Sequence, residues 1–147
     1  LIEVLVALLV LSIGLLGLAA LQTTSLQFNT DSYYRTQATY FVYDIVDRMR
    51  SNINVVTPAG PYDIETSAAA TAFLSSTDPT CDTSSCSAAN LASYDLGKWY
   101  KRMAQVLPGS RDNPATIDIT NASRLVRITI SWNERDLNKS QTWEIQL

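Results

Sequence analysis

The chain contains no histidine. That removes Ser-His-Asp and Cys-His nucleophilic arrangements and any histidine-ligated metal. Glycine is scarce, with five in 147 residues, and none falls in a P-loop or dinucleotide-binding spacing. Basic residues number 11 against 14 acids, and they are scattered. With a net charge of −3 and no basic stripe, nucleic acid is not expected as a direct partner. None of the acids stands in a recognisable catalytic constellation, so solvated surface carboxylates account for them. No enzyme activity and no cofactor are expected.

What is present begins at residue 1. Of the first 21 residues, 17 are Ala, Val, Ile or Leu, and the others are Glu3, Ser12, Gly14 and Gly17. The first basic residue is Arg35. A run of this length suits a membrane span, because a helix rises about 1.5 Å per residue across a hydrocarbon core of about 30 Å. A signal peptide is the rival reading. The run lacks the basic n-region and exceeds the usual apolar stretch, although Ala19-Ala20 imitates a cleavage site. With Leu at position 1, an initiator Met and some preceding sequence are expected to be missing.

Helical spacing continues beyond the apolar run. Gln22 to Asn52 holds no proline or glycine, and Ala38, Phe41/Val42, Ile45/Val46 and Met49 recur on one face. Asp44 with Arg48, and Asp47 with Arg50, stand at ion-pair spacing. Residues 1 to about 52 therefore read as one helix, apolar in its first half and amphipathic in its second. Pro58, Gly60 and Pro61 follow as breakers.

Residues 53–87 read as a long irregular connection, with TSAAATAF as a short helix inside it. Ser87 is an N-cap for a helix over 88–106, which Leu107-Pro108-Gly109 ends. Alternation predicts strands at 115–120, 124–132 and 141–147, joined by Asn121-Ala122-Ser123 and a polar loop at 133–140. The fold class is α+β. A long N-terminal helix packs on an antiparallel sheet of three to four strands spanning 115–147, with a second helix. The divisions are 1–27, the membrane part, and 28–147, the globular head. Trp99, Trp132, Trp143 and most tyrosines fit core or sheet-face positions. Asn121-Ala122-Ser123 and Asn138-Lys139-Ser140 match the short glycosylation sequon.

Cys81 and Cys86 lie in the polar segment CDTSSC. An extracytoplasmic disulfide is the natural reading. A zinc site lacks further ligands, and a redox pair usually has C-x-x-C spacing. The ring is very short, so it fixes a local loop more than it stabilises the fold.

Glu3 has two readings. An ionised side chain at the centre of a membrane helix costs about 2.5–3.5 kcal/mol, and less near the end. It is either an interfacial acid favoured by the helix dipole or a carboxylate that meets a positive partner when such helices pack. Gly14 and Gly17 are likewise either ordinary membrane-helix glycines or places of close packing or loosening. Their spacing is not the four-residue dimer motif.

Leu1-Ile2-Glu3-Val4-Leu5, followed by the long apolar run, resembles the N-terminus of type IV pilin-like proteins. The resemblance implies that Glu3 corresponds to the glutamate of the prepilin motif. It implies too that a leader and two mature residues, with the methylated amine the glutamate contacts in a neighbouring subunit, precede Leu1. Gln22–Asn29, Gln37-Ala38-Thr39, Tyr43–Asn52, the Cys81–Cys86 loop, Leu91–Asp95 with Trp99, Leu107–Gly109 and Ile128–Leu147 resemble the PilV group of minor pilins. One departure from major pilins is the absence of a proline near residue 20, so loosening of the helix falls to Gly14 and Gly17.

That resemblance implies a subunit with a single span in the bacterial inner membrane and a periplasmic head, which later enters the pilus. The implied partners are other minor pilins and the major pilin through the N-terminal helix, and a tip adhesin. The implied role is initiation of pilus assembly, with support of adhesion and twitching motility. Two alternatives stand beside it. One is a minor pseudopilin of a type II secretion system. The other is a membrane-anchored binding module or enzyme that never polymerises.

Overall fold

The structure is a computed structural model that describes residues 1–120, 124–135 and 137–147. Helix α1 runs Ile2–Ser51 without a break. Its hydroxyls close back onto the preceding turn: Ser12 Oγ donates to Leu8 O at 2.7 Å, and Thr23 and Thr24 to Ala19 O and Ala20 O at 3.1 Å. Ser12, the one hydroxyl in the apolar run, is thus satisfied within the helix.

The chain divides into two compact units, Leu1–Arg35 and Thr36–Leu147. In the first, residues 1–30 are exposed throughout. This helix is long and apolar enough to cross a membrane. In the second, the α1 residues spaced as an apolar face are buried: Ala38, Phe41, Val42, Ile45, Val46 and Met49. Each such large side chain contributes about 1.5–3 kcal/mol by leaving water.

After α1, a 3₁₀ turn covers Ile53–Val55 and helix α2 covers Ser67–Ser75. Thr66 caps α2 by accepting from Ala69 N at 3.2 Å. The TSAAATAF helix therefore forms, and the 53–87 connection is less irregular than its composition suggests. Helix α3 spans Ala88–Val106, with the Ser87 hydroxyl accepting from Asn90 N at 3.3 Å. Gly109 follows at φ 77°, where a Cβ would strike the Asn133 side chain.

The sheet is antiparallel in the order β1-β2-β3, with β1 Thr116–Thr120, β2 Leu125–Glu134 and β3 Leu137–Gln146. Three strands form, at the lower bound of the expectation. The polar loop expected over 133–140 is corrected. Pairing continues through Asn133–Asn138 to Glu134–Leu137, and Arg135 takes φ 49° in the turn. Main-chain pairing thus outweighs the polar composition on which the loop rested. The expected connection and sequon at Asn121-Ala122-Ser123 lie outside the described residues. The second sequon, Asn138-Lys139-Ser140, is part of β3. On β1 and β2, Ile117, Ile119, Val126, Ile128, Ile130 and Trp132 are buried, whereas Trp143 and Ile145 on β3 are only half-buried.

Candidate assembly surface and the head framework

Glu3 sits in the first turn of α1 and is exposed. Among the described residues it has no ion-pair partner. Its neighbours Leu1, Ile2, Val4, Leu5, Val6, Leu8 and Leu9 are between 54% and 103% exposed. This is one acid at the tip of a continuous apolar surface. A Cβ added at Gly14 or Gly17 would meet nothing within 4 Å. No contact within the chain therefore requires glycine at either position. Chemically, the segment offers apolar area for burial and one negative charge near a helix N-terminus, where the dipole favours an anion.

The other singled-out pair belongs to the other unit. Cys81 and Cys86 are joined in a disulfide with Cα–Cα 5.4 Å. Lys101 on α3 holds the stretch leading into this loop. Its Nζ donates to Ser76 O and Asp78 Oδ1, each at 2.7 Å. Asp78 lies so close to α3 that any Cβ at Gly97 would collide with its carboxylate. Glu3, Gly14 and Gly17 thus share α1, while Cys81 and Cys86 belong to a loop of the head.

A polar network that the sequence reading did not assemble ties the head together. Arg48 Nε donates to Asp44 Oδ1 and its Nη1 to Asp95 Oδ1, both at 3.0 Å. Tyr62 Oη donates to Asp95 Oδ2 at 2.7 Å, and Asn52 Nδ2 to Ala88 O at 2.7 Å. Burial works to lower the Arg48 pKa, but Asp44 and then Asp95 outweigh it and the net shift is upward. Tyr62 is pushed well up by burial. Trp99 Nε1 donates to Phe41 O, and Tyr100 Oη to Ala115 O, both at 2.8 Å. A signal for Asp95 was available, since it falls between Ala92 and Trp99 in the apolar stripe of α3.

Asp44 Oδ2 lacks a hydrogen bond and lies 3.8 Å from Arg102 Nη1. It borders a cavity of about 60 Å³ with Gln37, Tyr40 and Phe41. That volume suits a water molecule or two rather than a substrate. Tyr33, Tyr40 and Tyr43 are exposed on α1, so these tyrosines are not core residues. The fold also gathers Asp63, Glu65 and Asp118 with carboxylate oxygens within 4.8 Å. Asp63 accepts from Ala59 N at 2.6 Å and from Ile119 N at 3.0 Å. Asp118 pairs with Arg127 at 3.2 Å. Asp63 closes a loop onto β1, Asp63 and Asp118 already have donors, and Glu65 is exposed.

No curated protein and no solved structure shows significant similarity to the chain. A family profile does match, described as Tt1218-like, type IV pilin Tt1218, over residues 20–97. The match covers just over half of the chain. It takes in the amphipathic half of α1, α2, the disulfide loop and the first half of α3. This is a family of structural subunits that interact with other pilus components. A long apolar N-terminal helix, a three-stranded antiparallel sheet and this match agree, and the chain belongs to the Tt1218-like family of type IV pilins.

Proposed function

We propose that this pilin is a minor pilin of the PilV group, which helps initiate type IV pilus assembly and sits at or near the pilus tip. The observation that carries the reading is the exposed apolar run of residues 1–21, with Glu3 as its one acid. Before assembly this segment is held in the inner membrane with the head in the periplasm. On assembly it leaves lipid and packs against the helices of other minor pilins and the major pilin. Glu3 then meets a positive group of a neighbour, and charge neutralisation sets the register. Leaving the carboxylate unpaired among packed helices is costly, so one register is favoured. Gly14 and Gly17 let the helix loosen or approach closely. The head offers surfaces to a tip adhesin and supports adhesion and twitching.

The test is Glu3→Ala in the full-length protein, expressed in cells that lack the native copy. Surface pili and twitching are expected to fall several-fold while the protein stays in the membrane fraction. Unchanged pili and motility would sink the assembly role. Loss of protein secretion with normal piliation would move the protein to a type II secretion system.

A further inference from the structure

The two N-x-S/T motifs of the chain, Asn121-Ala122-Ser123 and Asn138-Lys139-Ser140, have no part in the proposed helix packing. They differ in what precedes them. Ile119 stands two residues before Asn121, whereas an acid, Asp136, stands two residues before Asn138. Such motifs are short and recur by chance, so the motif alone does not make a site. The surroundings of Asn138 add what the motif lacks.

Asn138 is the second residue of β3, and both it and Ser140 are exposed. Side chains two apart on a strand share a face, about 7 Å from one another. Lys139 between them lies opposite the buried Trp132, so the Asn138 amide and the Ser140 hydroxyl stand together on the side away from the core. Among the described residues neither side chain makes a hydrogen bond. The main chain here is free as well. Leu147 N donates to Arg124 O at 3.2 Å, continuing the β2–β3 register by one pair. Hydrogen-bonded and non-hydrogen-bonded pairs alternate in an antiparallel ladder. Asn133–Asn138 and Ser131–Ser140 are therefore non-hydrogen-bonded pairs, and Asn138 and Ser140 turn N–H and C=O to the open edge. A transferase groove can pair with those groups by strand addition and leave the β2–β3 ladder intact.

A bulky group on Asn138 displaces nothing within the chain, because the amide is exposed and unbonded. It also suits the strand that carries it. Among the described residues β3 pairs with β2 alone. Lys139 and Glu144 already charge this edge against pairing with a further strand. A hydrated substituent beside Lys139 covers the same edge sterically.

We infer that Asn138 is an N-glycosylation site, which takes an oligosaccharide from a polyprenyl diphosphate carrier. In the transfer, Asn138 Nδ2 forms a bond to the anomeric carbon while the bond from that carbon to the diphosphate oxygen breaks. The diphosphate leaves with the bonding pair and takes up the proton that Nδ2 gives up, so no oxidant or reductant is needed. Ser140 supplies the hydroxyl, and Asp136 the negative charge, by which a transferase selects this asparagine over Asn121. The site rests on the periplasmic side proposed for the head, the kind of compartment in which the Cys81–Cys86 disulfide persists. It uses no residue of the helix-packing role.

The experiment is peptide mass spectrometry of the full-length protein purified from the cells that naturally make it. Trypsin cuts after Arg135 and Lys139, and after Arg111 and Arg124, so Asn138 falls in the peptide 136–139 and Asn121 in 112–124. The peptide 136–139 is expected to carry added saccharide mass and 112–124 none. Asn138→Gln and Ser140→Ala are each expected to abolish the addition, Ser140→Thr to keep it, and Asp136→Ala to cut its occupancy at least five-fold. Alkaline elimination, which strips sugars from serine and threonine, is expected to leave it in place. An unmodified 136–139 peptide, a sugar that survives Asn138→Gln, or equal occupancy at Asn121 and Asn138 each overturns the proposal. Protease added outside spheroplasts reports the side of the head in the same cells. An unmodified head that the protease cuts overturns the site alone, and a head that it does not reach overturns the periplasmic reading as well.

Discussion

Arg48 on α1 donates through Nη1 to Asp95 Oδ1 on α3 at 3.0 Å, across 47 residues of sequence. Asp95 is 6% exposed and its other oxygen accepts from Tyr62. Removing Asp95 takes one of its two carboxylates from the Arg48 guanidinium, which keeps Asp44, and takes the acceptor from a buried phenol. Asp95→Ala is expected to lower stability by about 2–3 kcal/mol. Urea unfolding of the detergent-solubilised protein, followed by near-UV circular dichroism, measures the change. Arg48→Ala combined with Asp95→Ala should then fall short of additivity by at least about 0.5 kcal/mol. Simple additivity would show that the pair is not coupled.

Gly97 offers a sharper sign. In an exposed helix interior, Gly→Ala gains about 1 kcal/mol. Here the new methyl collides with Asp78 and drives it from Lys101. Gly97→Ala is expected to destabilise the head and to speed proteolytic cutting within residues 76–87. Adding Gly97→Ala to Asp78→Ala should instead stabilise that background, because the obstruction is gone. The same sign in both backgrounds would contradict the role given to Asp78.

The sequence made α3 legible in full, because an N-cap serine, a periodic apolar face and a Pro-Gly stop all lie within neighbouring turns of chain. The Asp44–Arg48 and Asp47–Arg50 pairs were legible for the same reason, being local, and both form, at 3.0 and 3.2 Å. The turn of the β2–β3 hairpin was not legible. Asn133 and Asn138 look like loop residues until they are seen opposite each other in the ladder. The place of Asp95 in the apolar stripe of α3 was visible, but its partner Arg48, 47 residues away, was not, and Gly97 was opaque because its neighbour lies in the Asp78 loop. Nor did the sequence distinguish Tyr62 and Tyr100, which are buried, from Tyr40 and Tyr43, which are not.

The disulfide should matter locally. A ring closed by cysteines five apart removes little chain entropy, so its loss should cost about 2 kcal/mol or less. Most of the buried side chains of α1, α3 and the sheet lie outside this ring. Cys81→Ser with Cys86→Ser is therefore expected to leave a folded head with a lower urea midpoint and an unchanged m-value. Non-cooperative unfolding of the double variant would place the loop at the heart of the fold instead.

Alkaline pH should unfold the head through its buried phenols. Burial pushes Tyr62 and Tyr100 far above the ordinary phenol value, while in the unfolded chain both titrate near pH 10. A raised folded pKa means that this stability is fully present below about pH 10 and is lost as pH climbs toward the folded values. Above pH 10 the unfolded state releases protons that the folded state keeps. Each phenol then removes about 1.4 kcal/mol per pH unit. Tyr100→Phe forfeits the hydrogen bond to Ala115 O, worth about 1 kcal/mol at neutral pH, yet should halve the alkaline slope. Thermal melts between pH 8 and about 11 measure both effects. An unchanged slope in Tyr62→Phe and Tyr100→Phe alike would refute the assignment.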